Sequence, residues 1–177
     1  MKFLKSRGGA ALITALVVLC SAVFGMGRSL NAVRGDIYTV FQVGAGGDGH
    51  SVAKDLEMRQ ATCANLYTVA QRYLEGPGAM GDFPRLLGEL EHGDLWRSAE
   101  LDASARLLIV QLQSMELSEK DAQYVSGFLA ELDSRALSIA KDPYTAEAIR
   151  FNTETLAAFP ASLARTLGLV DPLPVYT

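Results

Sequence analysis

Cysteine is nearly missing from this chain: its 177 residues hold only Cys20 and Cys63, too few for a disulfide framework. Histidine and tryptophan are as scarce, with His50, His92 and Trp96 the full complement. Six Pro and 16 Gly are ordinary levels and exclude a collagen-like or wholly disordered chain. No β-type alternation follows residue 50, and the sequence has neither an internal repeat nor a low-complexity tract. Its length allows one compact core of about 150 residues and excludes two full-sized domains with a linker. Positive charge is also short. Sixteen basic and 20 acidic residues give −4, and Lys2, Lys5 and Arg7 all stand before an uncharged stretch, so the remainder carries 13 against 20, or −7. An acidic body argues against sequence-independent binding to nucleic acid, because the polyanion is repelled.

The uncharged stretch is the first positive feature. Residues 8–27 carry no charge and are apolar through ALITALVVLCSAVF. Twenty residues in a helix span about 30 Å, the hydrocarbon thickness of a bilayer. A cleaved secretory signal is the competing interpretation. Its apolar region would run at least over 10–24, long for a signal, and Gly25-Met26-Gly27 is a weak small-x-small site. A lipoprotein signal fails because bulky Leu19 precedes Cys20. The stretch is therefore expected to stay as an anchor. Lys2, Lys5 and Arg7 on its amino-terminal side place residues 1–7 in the cytoplasm and 28–177 outside. Cys63 then meets a compartment that can oxidise thiols, which it tolerates only if buried.

Helical spacing dominates the rest. Leu30, Val33, Ile37, Val40 and Phe41 continue the first helix until the glycines at 44, 46, 47 and 49. Val52, Leu56, Arg59, Cys63, Leu66, Ala70 and Tyr73 alternate four- and three-residue steps, the seam of a helix packed in a bundle. Ser51 is its expected N-cap, and Gly76-Pro77-Gly78 its expected end. A short helix around 84–91 follows, and Leu101, Leu108, Leu112 and Met115 mark another. From Ser118 a further helix turns Val125, Phe128, Leu129, Leu132, Ala136 and Ile139 inward. Asp142-Pro143 either kinks that helix or caps a new one. Tyr144, Ala148, Phe151, Thr155 and Phe159 carry the apolar face on, and 161–167 predicts a short terminal helix before Asp171-Pro172-Leu173-Pro174. The expected fold is all-α: a transmembrane helix over 8–27, then an extracytoplasmic antiparallel helical bundle over 28–177.

Few residues suggest chemistry. Gly44-Ala45-Gly46-Gly47-Asp48-Gly49 matches G-x-G-x-x-G, and 37–43 could pass for a preceding strand. A dinucleotide site also needs a βαβ unit and an acidic residue some 20 positions on. Neither is present, so the glycines are expected to form a flexible loop. His50 stands near Asp48, and His92 near Glu89, Glu91 and Asp94, but neither set has metal-ligand spacing. Cys63 lies on the seam with no general base, which suits a buried thiol better than a nucleophile. No catalytic residue, metal or cofactor is expected. Arg59 is the most informative position, because a guanidinium on an inward seam needs a partner or an escape to the rim. Asp55 one turn earlier, and Tyr144, Glu147 or Asn152 on the last long helix, are the candidate partners.

Two blocks carry a resemblance. Leu56-Glu57-Met58-Arg59 followed by Asn65-Leu66 and Tyr73 is similar to an L-x-R-R-x-D-L-x-P-N-L run with Tyr eight residues after the Asn. Asp142-Pro143-Tyr144, Phe151-Asn152, Phe159-Pro160, Gly168 and Pro174-Val175-Tyr176 follow the order Y-N, Y-N, F-P, G-F, Y-F. In both, the chain resembles the LemA family, bacterial proteins with one N-terminal transmembrane helix and an exported helical bundle. Met58, Ala61, Ala64, Thr145 and Phe151 depart from the family pattern, which suits a divergent member. The resemblance implies fold and topology, and no reaction. It singles out Arg59, Asn65, Tyr144 and Asn152 as a structural polar node.

The function expected from all this is non-enzymatic: a membrane-anchored protein whose exported part binds another protein or itself in the cell envelope. Residues 81–94, an acidic loop with Trp96 beside it, and the glycine loop are its adaptable surfaces. An extracytoplasmic sensor of a small ligand is the alternative, followed by a secreted helical protein or an envelope hydrolase.

Overall fold

A computed structural model describes residues 7–46, 50–76, 78–91 and 97–176. Among the described residues all regular structure is helical and there is no strand. The elements are α1 (Arg7–Val43), α2 (Val52–Ala70), α3 (Phe83–Glu91), α4 (Ser98–Gln113), α5 (Glu119–Lys141), α6 (Pro143–Arg150), a π-helical turn (Phe151–Thr155) and α7 (Ala161–Thr166). The expectations placed on residues 1–6, Gly47, Asp48, Gly49, Pro77, His92, Asp94 and Trp96 lie outside the described residues. Two compact units emerge: residues 1–39 with 146–173, and residues 40–145 with 174–177.

In the first unit, α1 begins with its apolar side chains uncovered. Leu12, Leu16, Val17, Val18, Leu19 and Phe24 are all more than half exposed. Only 6% of the most apolar window is buried, which separates this helix from the core helix of a water-soluble fold. It is long and apolar enough to cross a membrane. Thr14 donates its hydroxyl to Ala10 O at 3.0 Å, so that polar group is satisfied within the helix itself.

Cover begins at Gly27. A Cβ built there would stand 3.1 Å from Leu169 Cβ, so the missing side chain is what lets Leu169 approach. Asn31 Nδ2 donates to Leu169 O at 2.7 Å, and Arg34 Nε to Asp171 O at 3.1 Å. Leu30 is buried, whereas Val33, expected inward, is 44% exposed. One narrow segment packs on this part of α1 and covers a narrow stripe. That segment is aimed by the end of α7, where Gly168 adopts φ +69°. Leu169 N donates to Ala164 O and Gly168 N to Arg165 O, the paired bonds of a Schellman turn, which places a left-handed residue at Gly168.

In the second unit, α2 packs against α3, α4 and α5, and α4 against α3 and α5. Six of the seven residues of the expected α2 seam, Val52, Leu56, Arg59, Cys63, Leu66 and Ala70, are buried, and the seventh, Tyr73, lies past the end of the helix and is half-buried. Cys63, Leu66 and Ala70 meet Phe83 and Leu86 of α3, Leu108 and Leu112 of α4, and Val125 and Leu132 of α5 in one apolar core. Ser51 caps α2, its Oγ accepting from Lys54 N at 3.2 Å, and Ser118 caps α5 by accepting from Asp121 N at 3.1 Å. Helix α2 ends at Ala70, before the expected glycines, and tight turns continue to Leu74. Met115 lies past the end of α4 and is 36% exposed. Pro143 starts a new helix: Asp142 Oδ1 accepts from Tyr144 N at 2.8 Å, an N-cap with proline at the first helical position.

Two glycines test the backbone account. Gly127 sits inside α5 with open space around its Cα, so Gly127→Ala should stabilise by about 0.5–1 kcal/mol. Gly168→Ala should destabilise by about 1–2 kcal/mol, the cost of a Cβ in the left-handed region. Thermal unfolding of the full-length protein in mild detergent should show opposite shifts in Tm.

Candidate functional site

The polar centre of the second unit is built from three acid–arginine pairs, each spaced four residues apart on one helix: Asp55 and Arg59 on α2, Asp102 and Arg106 on α4, Glu131 and Arg135 on α5. This spacing puts both members of a pair on one helix face. The bonds they make also run between helices. Arg59 Nη2 stands 2.9 Å from Asp102 Oδ1, an ion pair off the angle of a hydrogen bond, and Arg59 Nη1 is buried without a hydrogen-bond partner. Asp102 Oδ2 accepts from Arg106 Nε at 2.9 Å, and Arg106 Nη1 donates to Asp133 Oδ1 at 2.6 Å. Separately, Arg135 donates to Asp55 Oδ1 at 3.0 Å and to Glu131 Oε1 at 2.7 Å.

Arg59 is 5% exposed, so it does not reach the rim. Its partner is neither Asp55 nor a residue of the last long helix but Asp102 of α4. Sequence reasoning missed Asp102, although its spacing to Arg106 repeats that of Asp55 to Arg59. Cys63 lies near this pair on the same seam. Burial foremost, then the Asp102 carboxylate, push its thiol up to about 12 against the opposing effect of Arg59. A thiol so protonated is a poor nucleophile at neutral pH.

A second polar cluster surrounds Asp121 in the first turn of α5. Tyr73 donates to Asp121 Oδ2 at 2.6 Å, Ser118 Oγ to the same oxygen at 2.9 Å, and Arg72 Nη1 to Oδ1 at 2.8 Å. Tyr73 also accepts from Ser118 N at 3.1 Å. Foremost the Tyr73 hydroxyl, then Ser118 and Arg72, hold the Asp121 carboxyl below its ordinary value against the opposing effect of burial. Beside it a solvent-open groove of about 310 Å³ is lined by Asn65, Thr68, Val69, Arg72, Tyr124 and Phe128. Asn65, singled out by the resemblance, thus lies on a groove wall.

The other two nominated residues hold the chain terminus. Within the second unit, Tyr144 is fully buried, donates to Pro174 O at 2.6 Å and packs against Phe41, which stacks on Tyr176. Within the first unit, Asn152 donates to Leu173 O and accepts from Leu173 N, both at 2.8 Å. The π-helical turn that carries Asn152 is closed by Leu156 N donating to Phe151 O. Thr145, where the family pattern has Asn, donates to Ile139 O at 2.9 Å. The four residues therefore have different surroundings: Arg59 meets a carboxylate, Asn65 lies on a groove wall, and Tyr144 and Asn152 each bind tail backbone.

Part of the expected acidic loop is helix α3, and its described acids are engaged. Arg85 bonds Asp82 and Glu89, and Arg97 bonds Glu89 and Glu100. The segment 37–43 is helical, so the strand required before a dinucleotide loop is replaced by the end of α1. No cluster of three or more metal-ligating side chains occurs among the described residues. No family model, curated protein or solved structure matches this chain.

Two outcomes check the polar account. Asp102→Ala should destabilise by about 3 kcal/mol because it leaves a buried guanidinium unpaired, and adding Arg59→Met should recover most of that loss; a thermal-unfolding double-mutant cycle reads it. Asp121 has a depressed folded-state value, so its stabilisation is complete above the unfolded value near 3.9 and is lost as pH falls through the folded one. The Tm gap between wild type and Asp121→Asn should be constant near neutrality and close below about pH 4.

Proposed function

We propose that the chain is a divergent LemA-type membrane protein. Residues 1–7 are cytoplasmic, 8–27 span the bilayer, and 28–177 form an extracytoplasmic antiparallel helical bundle. In this reading it is a non-enzymatic interaction or assembly component of the bacterial envelope. The observation that carries it is the uncovered apolar surface of α1, where Leu16, Val17, Val18 and Leu19 are each at least 56% exposed. In water such a surface is costly; in hydrocarbon it is the ordinary state of a spanning helix. Lys2, Lys5 and Arg7 ahead of it support the orientation.

The interaction role is supported on α4. Ala103, Leu107 and Val110 follow a four-then-three spacing on its outer side, and Leu107 and Val110 are 73% and 64% exposed. Such spacing makes a seam for another helix. The buried carboxylates Asp55 and Asp121 and the half-buried Asp102 are bound by Arg135, Arg72 and Arg59, which suits structural service rather than acid–base work. The sensor reading draws on the groove beside Asn65, whose Tyr124 and Phe128 rings, 6.4 Å apart, offer an aromatic wall.

Cross-linking the full-length protein in native membranes, followed by mild-detergent capture and mass spectrometry, tests the interaction reading. Wild type should yield cross-links through α4 to itself or to a second protein, and Leu107→Glu should lose most of them. Recovery of uncross-linked bait alone from both would sink the reading.

A further inference from the structure

Within the first unit, the end of the uncharged stretch is tied to a second apolar surface. Leu169 packs on Gly27, and the bonds from Asn31 to Leu169 O and from Arg34 to Asp171 O run the chain along α1 away from its apolar half. Residues 158–167 precede this segment directly, so they are within a short reach along the chain of the point where the uncharged stretch ends. There Leu167 N donates to Leu163 O at the end of α7, and Phe159 stands just before the helix, joined to it through the cis Phe159–Pro160 peptide. Leu163 and Leu167 are four residues apart, and with Phe159 ahead of the helix they are three apolar side chains within nine residues, 39%, 61% and 78% exposed. Ala161 and Ala164, on the other side, are buried. Arg28, one residue after Gly27, and Arg165 on α7 are both exposed, and a cation beside a membrane boundary can reach lipid phosphates.

Resting on the membrane-anchored reading, we propose that Phe159, Leu163 and Leu167 form a second, interfacial contact with the bilayer that α1 crosses, dipping into its outer headgroup–acyl boundary. Their occupant is lipid. A short amphipathic element beside an anchor lies in the interface plane with its apolar face inserted a few ångströms. Gly27 and Gly168 set its position: the first by letting Leu169 approach α1, the second by turning the chain from α7 onto α1. Two contacts restrain the tilt of the first unit against the membrane, where a lone spanning helix leaves it free.

The full-length chain reconstituted in phosphatidylethanolamine–phosphatidylglycerol vesicles tests this. In a Trp96→Phe background, which removes the native tryptophan, Leu163→Trp and Phe159→Trp are made separately, and far-UV circular dichroism checks that each keeps its helix. Flotation on a density gradient reads the anchor independently. In floated protein, both tryptophans should emit blue-shifted, and lipids brominated high on the acyl chain should lower that emission roughly twofold, as for a group inside the interface. Floated protein whose tryptophans emit as in water overturns the proposal and leaves the anchor standing. Blue-shifted emission untouched by bromine also overturns it, since a protein surface then covers the patch. Failure to float overturns both the anchor and this contact.

Discussion

A guanidinium buried to 5% exposure constrains everything packed around it. Arg59 cannot leave the seam of α2, so a carboxylate has to come to it, and α4 supplies Asp102. Asp102 is shared with Arg106, which reaches Asp133 on α5, while Asp55 is answered by Arg135. Apolar side chains alone would let three helices settle in several registers at similar cost. Alternating charges do not, because a slip of one turn would bury them unpaired. The pair also sets the surroundings of Cys63, whose thiol stays protonated far above neutral pH. An unpaired cysteine is thus compatible with an oxidising compartment.

Three of the residues that carry the family resemblance, Tyr73, Tyr144 and Asn152, hold other chain segments by hydrogen bonds. Tyr73 bridges Asp121 and Ser118 N across the turn into α5. Tyr144 and Asn152 bind the carbonyls of Pro174 and Leu173. A proline-rich tail has too few amide hydrogens to build secondary structure of its own, so side chains must satisfy its backbone. Aromatic and amide groups recurring at wide spacing are explained by that need, without invoking a reacting centre.

Helix α1 combines two surfaces in one element. Its first half exposes apolar side chains on all sides, and after Gly27 it offers a narrow stripe to Leu169 and polar groups to the backbone of 169–171. The change falls where the charge-free stretch ends, at Arg28. The glycine at that junction, Gly27, serves close packing with Leu169, whereas Gly25 has open space around it.

Secondary structure was legible in the sequence because it depends on near neighbours. The four-and-three spacing of α2, the caps at Ser51 and Ser118, the terminator at Gly44 and the helix start at Asp142-Pro143 are each fixed within a few residues. The length and apolarity of α1 were equally local. What Arg59 binds was not, because Asp102 is 43 positions away and several carboxylates have the right chemistry. Only the packing of α2 on α4 chooses between them. Likewise Val33 follows the helical period yet stays exposed, since periodicity states which residues share a face and packing decides whether anything covers it. Phe159 follows the same period in sequence but stands between the π-helical turn and α7. The sequence by itself determined the helices and the apolar rod. Tertiary structure decided which charges meet, because pairing depends on distances in space that spacing along the chain does not encode.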